Sequence, residues 1–247
     1  MPTGLTFSGD RSGTDAVSIG NNYNHVPVTM QGGPSLAERY SRLAQEAPDR
    51  RRVDFELRVL DLFLASLFLL ISFPIAAMIG VGILLTSSRP VFYRGERVGR
   101  GGRVFTMTKF RTLKPGAESC LGHHLGPALV ERTEAEVTVM GRWLRATQLD
   151  EIPQFWNVLK GDMSLVGPRP IRPRFFEEQA EELPAYWQRL VVRPGLTGFA
   201  QVRRGYETSM VEKLAHDLEW IADRSLRLYL RTLGATAWRV VRQLFAR

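Results

Sequence analysis

The feature that most limits the fold is an uncharged, apolar stretch over residues 62–85, which reads LFLASLFLLISFPIAAMIGVGILL. A helix needs about 20 apolar residues to cross the hydrocarbon core of a bilayer, so these 24 residues are predicted to form a membrane helix. Pro74 removes a backbone donor and clashes with the preceding turn, which predicts a kink near Ser72. The Ser72 hydroxyl could satisfy a carbonyl that this break frees.

Basic residues flank the apolar segment on both sides. Lys and Arg mark the cytoplasmic side of a membrane. A simple crossing would leave one basic cluster outside, whereas a helix that bends at Pro74 and returns keeps both clusters in the cytoplasm. The sequence therefore favours a re-entrant helix over a full crossing, which stays the alternative. The flanking residues are Arg50, Arg51, Arg52 and Arg58 before the segment, and Arg89, Arg94, Arg97, Arg100 and Arg103 after it.

The chain divides into three regions around this segment. Residues 1–49 are predicted to be a disordered or weakly helical tail, because the first 33 lack periodic apolar residues and signal-peptide features. Residues 50–88 hold the predicted membrane helix, and residues 89–247 form the main predicted domain. A net charge of +8 suits nucleic acid, anionic lipid or a phosphorylated substrate. The single cysteine, Cys120, excludes an internal disulfide framework.

The predicted domain is α/β and mainly helical. Residues 90–113 alternate apolar and basic side chains around a glycine-rich turn, which predicts a hairpin. A helix is expected over residues 134–146 with Met140, Trp143 and Leu144 on one face. Another helix is expected over residues 175–191, broken at Pro184, followed by a short strand. The last 35 or so residues predict an amphipathic basic helix, which suits either a membrane surface or an ordinary core.

The motif LDEIPQ, residues 149–154, places two adjacent carboxylates before a proline. Proline is tolerated in the first turn of a helix, so Pro153 predicts a helix start close to Asp150 and Glu151. Acids at the electropositive end of a helix are often only capping residues. The motif alone does not decide between capping and chemistry.

Six cations among glycine and proline turns favour phosphate chemistry. Such groups stabilise the oxygens of a transferring phosphoryl group. A divalent cation would relieve repulsion within the acid pair, and Mg²⁺ prefers one or two carboxylates plus phosphate oxygens. A carboxylate can also act as a nucleophile towards phosphorus. The sequence has no GxxxxGK[ST] loop. The six cations are Lys109, Arg111, Arg142, Arg145, Arg169 and Arg193.

Four segments together resemble the bacterial sugar transferases, monotopic phosphoglycosyl transferases that start glycan assembly on polyprenyl phosphate. The resemblance runs from Val53 to Leu244, and its most specific block covers residues 141–170. The segments are PVFYRGERVGRGGRVFTMTKFRT, GRWLRATQLDEIPQFWNVLKGDMSLVGPRP, RPGLTGFAQV and HDLEWIADRSLRLYL.

The resemblance implies transfer of sugar 1-phosphate from a UDP-sugar to polyprenyl (undecaprenyl) phosphate, with Mg²⁺ dependence and release of UMP. It implies that Asp150 forms a covalent phosphosugar intermediate and that Asp150 and Glu151 together bind Mg²⁺. Lys109, Arg111 and Arg169 correspond to basic positions around the phosphates. We add Arg145 and Arg193 as candidate substrate-binding residues. Ser72 and Pro74 resemble the break that makes the family's helix re-entrant, although Phe73 separates them.

The implied setting is the cytoplasmic face of a bacterial inner membrane, in the first membrane step of exopolysaccharide, capsule or glycan assembly. Later glycosyltransferases or a second copy of the chain are further candidate partners. Nucleic acid is not expected, because a membrane segment and an acid-centred motif serve no purpose in binding it.

One position departs from the family. Its final motif usually reads SLxLD, whereas this chain has Tyr229 where the acid belongs. An arginine that the acid orients would then lose its partner, or the partner has changed as well. Two alternatives therefore stay open: a membrane-bound glycosyltransferase that releases UDP, and a degenerate, non-enzymatic scaffold of polysaccharide synthesis.

Overall fold

The computed structural model describes residues 51–87, 89–117, 132–204 and 209–245, so the predicted tail lies outside the described residues. Helices dominate these ranges, and the sheet portion consists of two strand pairs. The main helices are α1 (Arg51–Ser87), α2 (Val139–Thr147), α3 (Gln154–Lys160), α4 (Pro173–Glu182), α5 (Phe199–Arg204), α6 (Met210–Asp223) and α7 (Leu226–Phe245). The strands are β1 (Phe92–Val98), β2 (Val104–Phe110), β3 (Ser164–Val166) and β4 (Gly195–Thr197).

Helix α1 continues through Pro74 over 37 residues. The most apolar 18-residue window of α1 has a mean hydropathy of 2.5, and 17% of that window is buried. By length and composition α1 could cross a membrane. Many large apolar side chains of α1 are exposed; Leu70 is 74% exposed and Leu85 is 82% exposed. Since so much exposed apolar surface is rare on soluble proteins, this helix surface suits contact with lipid.

The buried positions of α1 lie near its two ends. Leu57 and Ala65 pack into the main core, while Ile79 and Ile83 pack into a second cluster with Phe110. Between residues 66 and 78 only Ser72 is buried. Both ends of α1 therefore contact the globular body, while its middle is largely exposed. The Ser72 hydroxyl has no hydrogen-bond partner among the described residues. The expectation that it satisfies a freed carbonyl is therefore wrong.

The predicted hairpin is confirmed as β1 and β2, which pair antiparallel from Phe92↔Phe110 to Val98↔Val104. A 3₁₀ turn at Arg100–Gly102 joins the strands. Gly101 and Gly102 both have positive φ values, 67° and 79°, which glycine adopts without strain. The glycine-rich segment therefore forms the turn that its composition predicts.

Strands β3 and β4 are parallel and very close. A Cβ added to Gly195 would lie 2.1 Å from the Gly167 nitrogen, so the approach of the two backbones requires glycine at this position. The short strand expected after Pro194 is β4. The main core surrounds this pair with buried side chains from α1, α6 and α7. This core fixes the segment that follows β3, which carries Arg169.

One helix prediction is corrected and another is confirmed. Helix α2 begins after Thr138, whose hydroxyl accepts a hydrogen bond from Gly141 N at 2.9 Å. Leu144 is fully buried, but Trp143 is 52% exposed, so the two side chains do not share one buried face. The predicted break at Pro184 is confirmed, because α4 ends at Glu182 and Pro184 starts a 3₁₀ segment, Pro184–Val191.

The C-terminal helix α7 has one buried face and one exposed face. Tyr229 and Thr232 are buried, whereas Leu230 is half-exposed and Trp238 is 69% exposed. The Arg239 guanidinium donates to the main-chain carbonyls of Gln201 and Val202. The helix is therefore packed against α5 and presents an apolar and aromatic surface outward.

A buried carboxylate joins three elements at the centre of the body. Asp61 on α1 accepts hydrogen bonds from Tyr229 Oη at 2.6 Å, Ser164 Oγ at 3.0 Å and Leu165 N at 2.8 Å. Burial and the Asp61 charge raise the pKa of Tyr229, so its hydroxyl remains a donor. The partner of Tyr229 is thus a carboxylate of α1, and this hydrogen bond connects α7 to α1.

We expect Tyr229→Phe to destabilise the protein by about 1–3 kcal/mol, because it removes a buried donor to a charged acceptor. Unfolding in detergent, followed by circular dichroism, measures the loss. Tyr93→Phe is the matched control, because Tyr93 is only partly buried against the core. Equal stability of the two variants would contradict the importance of the Asp61 contact.

Candidate active site

The acid pair occupies a turn of its own between two helices. Helix α2 ends at Thr147, and Gln148 adopts the left-handed conformation with φ of 58°. Residues Leu149–Glu151 then form a 3₁₀ turn, and α3 begins at Gln154 after Pro153. The acids therefore lie in the turn just before α3, and the predicted helix start close to Asp150 and Glu151 is confirmed. Ile152 anchors the turn by packing beside Phe110 and Leu144.

Asp150 is a buried carboxylate with cations nearby. Burial, the largest influence, raises its pKa from 3.8 to about 6, and repulsion from Glu151 adds to the rise. The charges of Lys109 and Arg145 oppose it. Near neutral pH most Asp150 side chains are therefore ionised, while their poor hydration leaves the charge in need of a counterion.

Glu151 forms the ion pair of the site. Its Oε1 accepts a hydrogen bond from Lys109 Nζ at 2.7 Å. Burial alone would raise the pKa of Glu151, but Lys109 and Arg169 outweigh burial and hold that pKa below its ordinary value. The two adjacent acids thus have opposite pKa shifts, which is typical of sites that do acid–base or transfer chemistry.

Four of the predicted cations line the same cleft as the acids: Lys109, Arg111, Arg145 and Arg169. Arg111 is nearly buried and donates from Nη2 to Ser87 O at the end of α1, and burial lowers its pKa. Arg145 Nε donates to Thr112 Oγ1 at 3.0 Å, and its Nη1 lies 3.6 Å from Glu134. The structure therefore brings acids and cations together as the sequence predicts.

Two predicted cations lie elsewhere. Arg193 does not line the cleft of Asp150, and its Nε donates to Gly161 O at 3.0 Å. Burial lowers the pKa of Arg193, and the nearby charge of Arg58 adds to that effect. Arg142 does not line the cleft either and is exposed. Arg193 therefore supports the end of α3, and the structure gives no basis for placing it at the substrate.

The cleft has a volume of about 2780 Å³, and its lining is partly charged and partly apolar. The charged part, called the charged end below, contains the acid pair and the four cations. The apolar part comes from α1 and α7 and includes Leu64, Leu67, Phe68, Ile71, Leu233 and Val240. Phe68 stacks on Phe155 with ring centroids 4.1 Å apart. Helix α1 therefore contributes apolar side chains to the cleft that also contains the acid pair.

Sequence reasoning missed a buried ion pair behind Arg169. Arg189 Nη2 lies 2.6 Å from Asp217 Oδ2 and donates to the main-chain carbonyl of Arg169 at 3.1 Å. Arg189 Nη1 also donates to Tyr186 Oη at 2.6 Å. These residues belong to segments far apart in the chain, so no local pattern links them. The pair holds the backbone that presents Arg169 to the cleft.

The residues present fit a divalent cation that is completed by substrate. Within the described ranges, no group of three or more His, Cys, Asp or Glu side chains could hold a metal ion. The adjacent Asp150 and Glu151 supply two carboxylates, which is the number Mg²⁺ uses when phosphate oxygens and water complete its shell. Because Lys109 already contacts Glu151, a bound cation would share that carboxylate with the lysine.

Comparisons with known proteins agree with this geometry. Residues 53–243 match the family model described as bacterial sugar transferase. The chain is 39% identical over 225 residues to a Caulobacter vibrioides protein named UDP-glucose:undecaprenyl-phosphate glucose-1-phosphate transferase, covering 87% of this chain and 81% of that protein.

Two further relatives are longer than this chain. An Aeromonas hydrophila protein named UDP-N-acetylgalactosamine-undecaprenyl-phosphate N-acetylgalactosaminephosphotransferase is 38% identical over 70% of this chain and 41% of its own length. A Salmonella typhimurium undecaprenyl-phosphate galactose phosphotransferase is 30% identical over 90% of this chain and 45% of its own length. The chain thus spans less than half the length of these two proteins.

The Arg189–Asp217 pair yields a prediction. Asp217→Asn leaves a buried cation without its charge partner, so we expect a loss of about 3–5 kcal/mol in unfolding free energy. Replacing both partners, Arg189→Met with Asp217→Leu, should restore part of that stability because no charge remains buried. Denaturant unfolding in detergent measures both variants. Asp223→Asn, at an exposed position, is the control. A double variant less stable than Asp217→Asn would contradict this description.

Proposed function

Because the chain belongs to the bacterial sugar transferase family, we propose that it transfers a hexose 1-phosphate from a UDP-sugar to undecaprenyl phosphate and releases UMP. The relatives are named for this class of transfer with glucose, galactose and N-acetylgalactosamine. The reaction would be the first membrane step of exopolysaccharide, capsule or glycan assembly. Later glycosyltransferases would take up its lipid-linked product.

The proposal rests on a cleft whose lining is partly apolar and partly charged. A polyprenyl phosphate has a long apolar tail and an anionic head, and the cleft joins an apolar wall of α1 to a cluster of cations. The soluble donor is also anionic and suits the same cations. Since Asp150 and Glu151 lie at this charged end, the phosphates of both substrates would meet beside them.

Asp150 is proposed as the nucleophile. Its carboxylate oxygen would attack the phosphorus attached to the sugar, forming an oxygen–phosphorus bond as the bond to the bridging oxygen of UMP breaks. The bridging electrons leave with UMP. A phosphate oxygen of the acceptor lipid would then attack the same phosphorus and release the Asp150 carboxylate. Covalent catalysis divides one difficult transfer into two steps, and the buried carboxylate is poorly solvated and so more reactive.

Mg²⁺ is proposed to bind Asp150 and Glu151. When bound, it would neutralise charge on the substrate phosphates. Lys109 would hold Glu151 ionised and oriented, because the 2.7 Å ion pair fixes that carboxylate. Arg145 and Arg169 line the cleft and would orient the phosphate oxygens. Arg111 lies deeper and would contribute its charge.

We also propose that α1 is re-entrant and that the active site faces the cytoplasm at the inner membrane. Both ends of α1 contact the same globular body: Arg58 donates to Val158 O and Leu159 O, and Ser87 O accepts from Arg111. A helix that crosses a bilayer places its ends on opposite faces, about 30 Å of hydrocarbon apart. The exposed middle of α1, residues 66–78, would then be the part that enters the lipid.

We expect Asp150→Asn to lower UMP release at least about a thousandfold, because the amide cannot serve as the nucleophile. The assay contains undecaprenyl phosphate, Mg²⁺, detergent and a panel of UDP-sugars. Asp223→Asn is the charge-matched control at an exposed position. Wild-type turnover in Asp150→Asn would contradict the nucleophile assignment. Release of UDP would favour a glycosyltransferase, and the absence of any nucleotide product from the wild-type chain would favour a scaffold.

The pH dependence of kcat/KM tests whether Asp150 and Glu151 bind one Mg²⁺ together. Asp150 must be ionised to attack, and its pKa is about 6, so kcat/KM should fall as the pH drops through about 6. Protons and Mg²⁺ compete for the same carboxylates, so raising Mg²⁺ from limiting to saturating should move the midpoint to lower pH. In Glu151→Gln the midpoint should respond less to Mg²⁺. A midpoint that rises or stays fixed with Mg²⁺ in the wild type would contradict metal binding by the pair.

A further inference from the structure

Asn157 is a buried side chain that connects the hairpin to the helix beside the acid pair. It lies on α3 and is 1% exposed. Its Nδ2 donates to Thr106 O at 2.7 Å, and its Oδ1 accepts from Thr108 N at 3.0 Å. The amide therefore contacts both a carbonyl and an amide of β2.

These contacts occupy the edge of β2 that β1 leaves open. Residues two apart on an antiparallel strand direct their main-chain groups to the same side, so Thr106 and Thr108 both face away from β1. The Asn157 amide carries one donor side and one acceptor side, as a peptide group does, and binds this edge as a neighbouring strand would. A second Nδ2 contact, to Asp162 Oδ2 at 3.3 Å, further satisfies the buried amide.

The position of this contact relates it to the active site. Lys109 follows Thr108 directly on β2, and Glu151 lies in the turn just before α3. The two hydrogen bonds of Asn157 thus fix the strand that carries Lys109 against the helix that follows Glu151. We propose that Asn157 is a positioning residue that sets the distance between Lys109 and Glu151, and through it the geometry of the transfer reaction. Its role in the reaction rests on the proposed function, whereas the distance does not.

A zero-length cross-link measures the distance directly. A carbodiimide activates the Glu151 carboxylate, and the Lys109 amine then attacks it to form an amide as the urea by-product leaves. In the full chain in detergent, mass spectrometry measures the yield of the peptide pair linked through these residues. We expect Asn157→Ala to lower the yield at least about fivefold, because the ion pair is no longer held at contact distance.

Val158→Ala is the matched control. Val158 is the next residue on α3, is fully buried and packs in the main core, so its truncation lowers stability without removing the β2 contact. The cross-link yield should stay near the wild-type value in this variant. A wild-type yield in Asn157→Ala, or an equal drop in both variants, would overturn the proposed positioning.

Activity then tests whether the positioning serves the reaction. With UDP-glucose, undecaprenyl phosphate and Mg²⁺, we expect Asn157→Ala to lower kcat at least about tenfold while KM for UDP-glucose changes less than about threefold. If Asn157 acts through Lys109, its loss should have much less effect in a Lys109→Met background, as a double-mutant cycle shows. Val158→Ala should have the same effect in both backgrounds. Additive effects of Asn157→Ala and Lys109→Met would overturn the role of Asn157 in the reaction. A wild-type chain that releases no UMP would contradict the proposed function. In that case the cross-link yield still tests the positioning of Lys109 and Glu151.

Discussion

The ion pair between Lys109 and Glu151 is the interaction on which the charged end of the cleft depends. It joins the hairpin to the acid turn, since Lys109 lies on β2 and Glu151 lies in the 3₁₀ turn before α3. It also separates the behaviour of two adjacent carboxylates. Glu151 is held ionised by its cations, whereas burial raises the pKa of Asp150 to about 6. Glu151 is thereby paired with Lys109, whereas Asp150 is the carboxylate that we propose as the nucleophile.

Helix α1 and the charged cleft form one structural unit. Helix α1 contributes the buried Asp61 to the centre of the body and an apolar wall to the cleft, while its remaining surface is exposed. Arg58 and Arg111 connect its two ends to the body through hydrogen bonds to main-chain carbonyls. An acceptor lipid could therefore pass from the bilayer to the acid pair along a single element. In the proposed reaction, this arrangement would bring the lipid substrate to the acid pair.

Much of this description follows from local sequence patterns. The uncharged run predicts α1, Gly101 and Gly102 predict the hairpin turn, and Pro184 predicts the break after α4. Each of these three features depends on residues that are neighbours in the chain. Four of the six cations predicted to surround Asp150 line the same cleft, although Lys109 is 42 positions from its partner Glu151.

The remaining features depend on contacts between distant residues. Tyr229 and Asp61 are 168 positions apart, and Asn157 and Thr108 are 49 apart, so neither pair has a sequence signature. Arg193 was expected at the substrate because it follows a pattern of cations near glycine and proline, yet the fold directs it to Gly161. The exposure of Trp143 is a further example, since helical periodicity does not reveal which apolar side chains the rest of the protein leaves exposed.

The most direct test of the account is the site of covalent attachment. The wild-type chain is incubated with a UDP-sugar and Mg²⁺ without acceptor lipid, and its peptides are then mapped by mass spectrometry. The account predicts one hexose phosphate on the peptide that contains Asp150, with one UMP released per chain, and removal of the adduct when undecaprenyl phosphate is added. An adduct on a different residue, or transfer to lipid with no covalent intermediate, would contradict it.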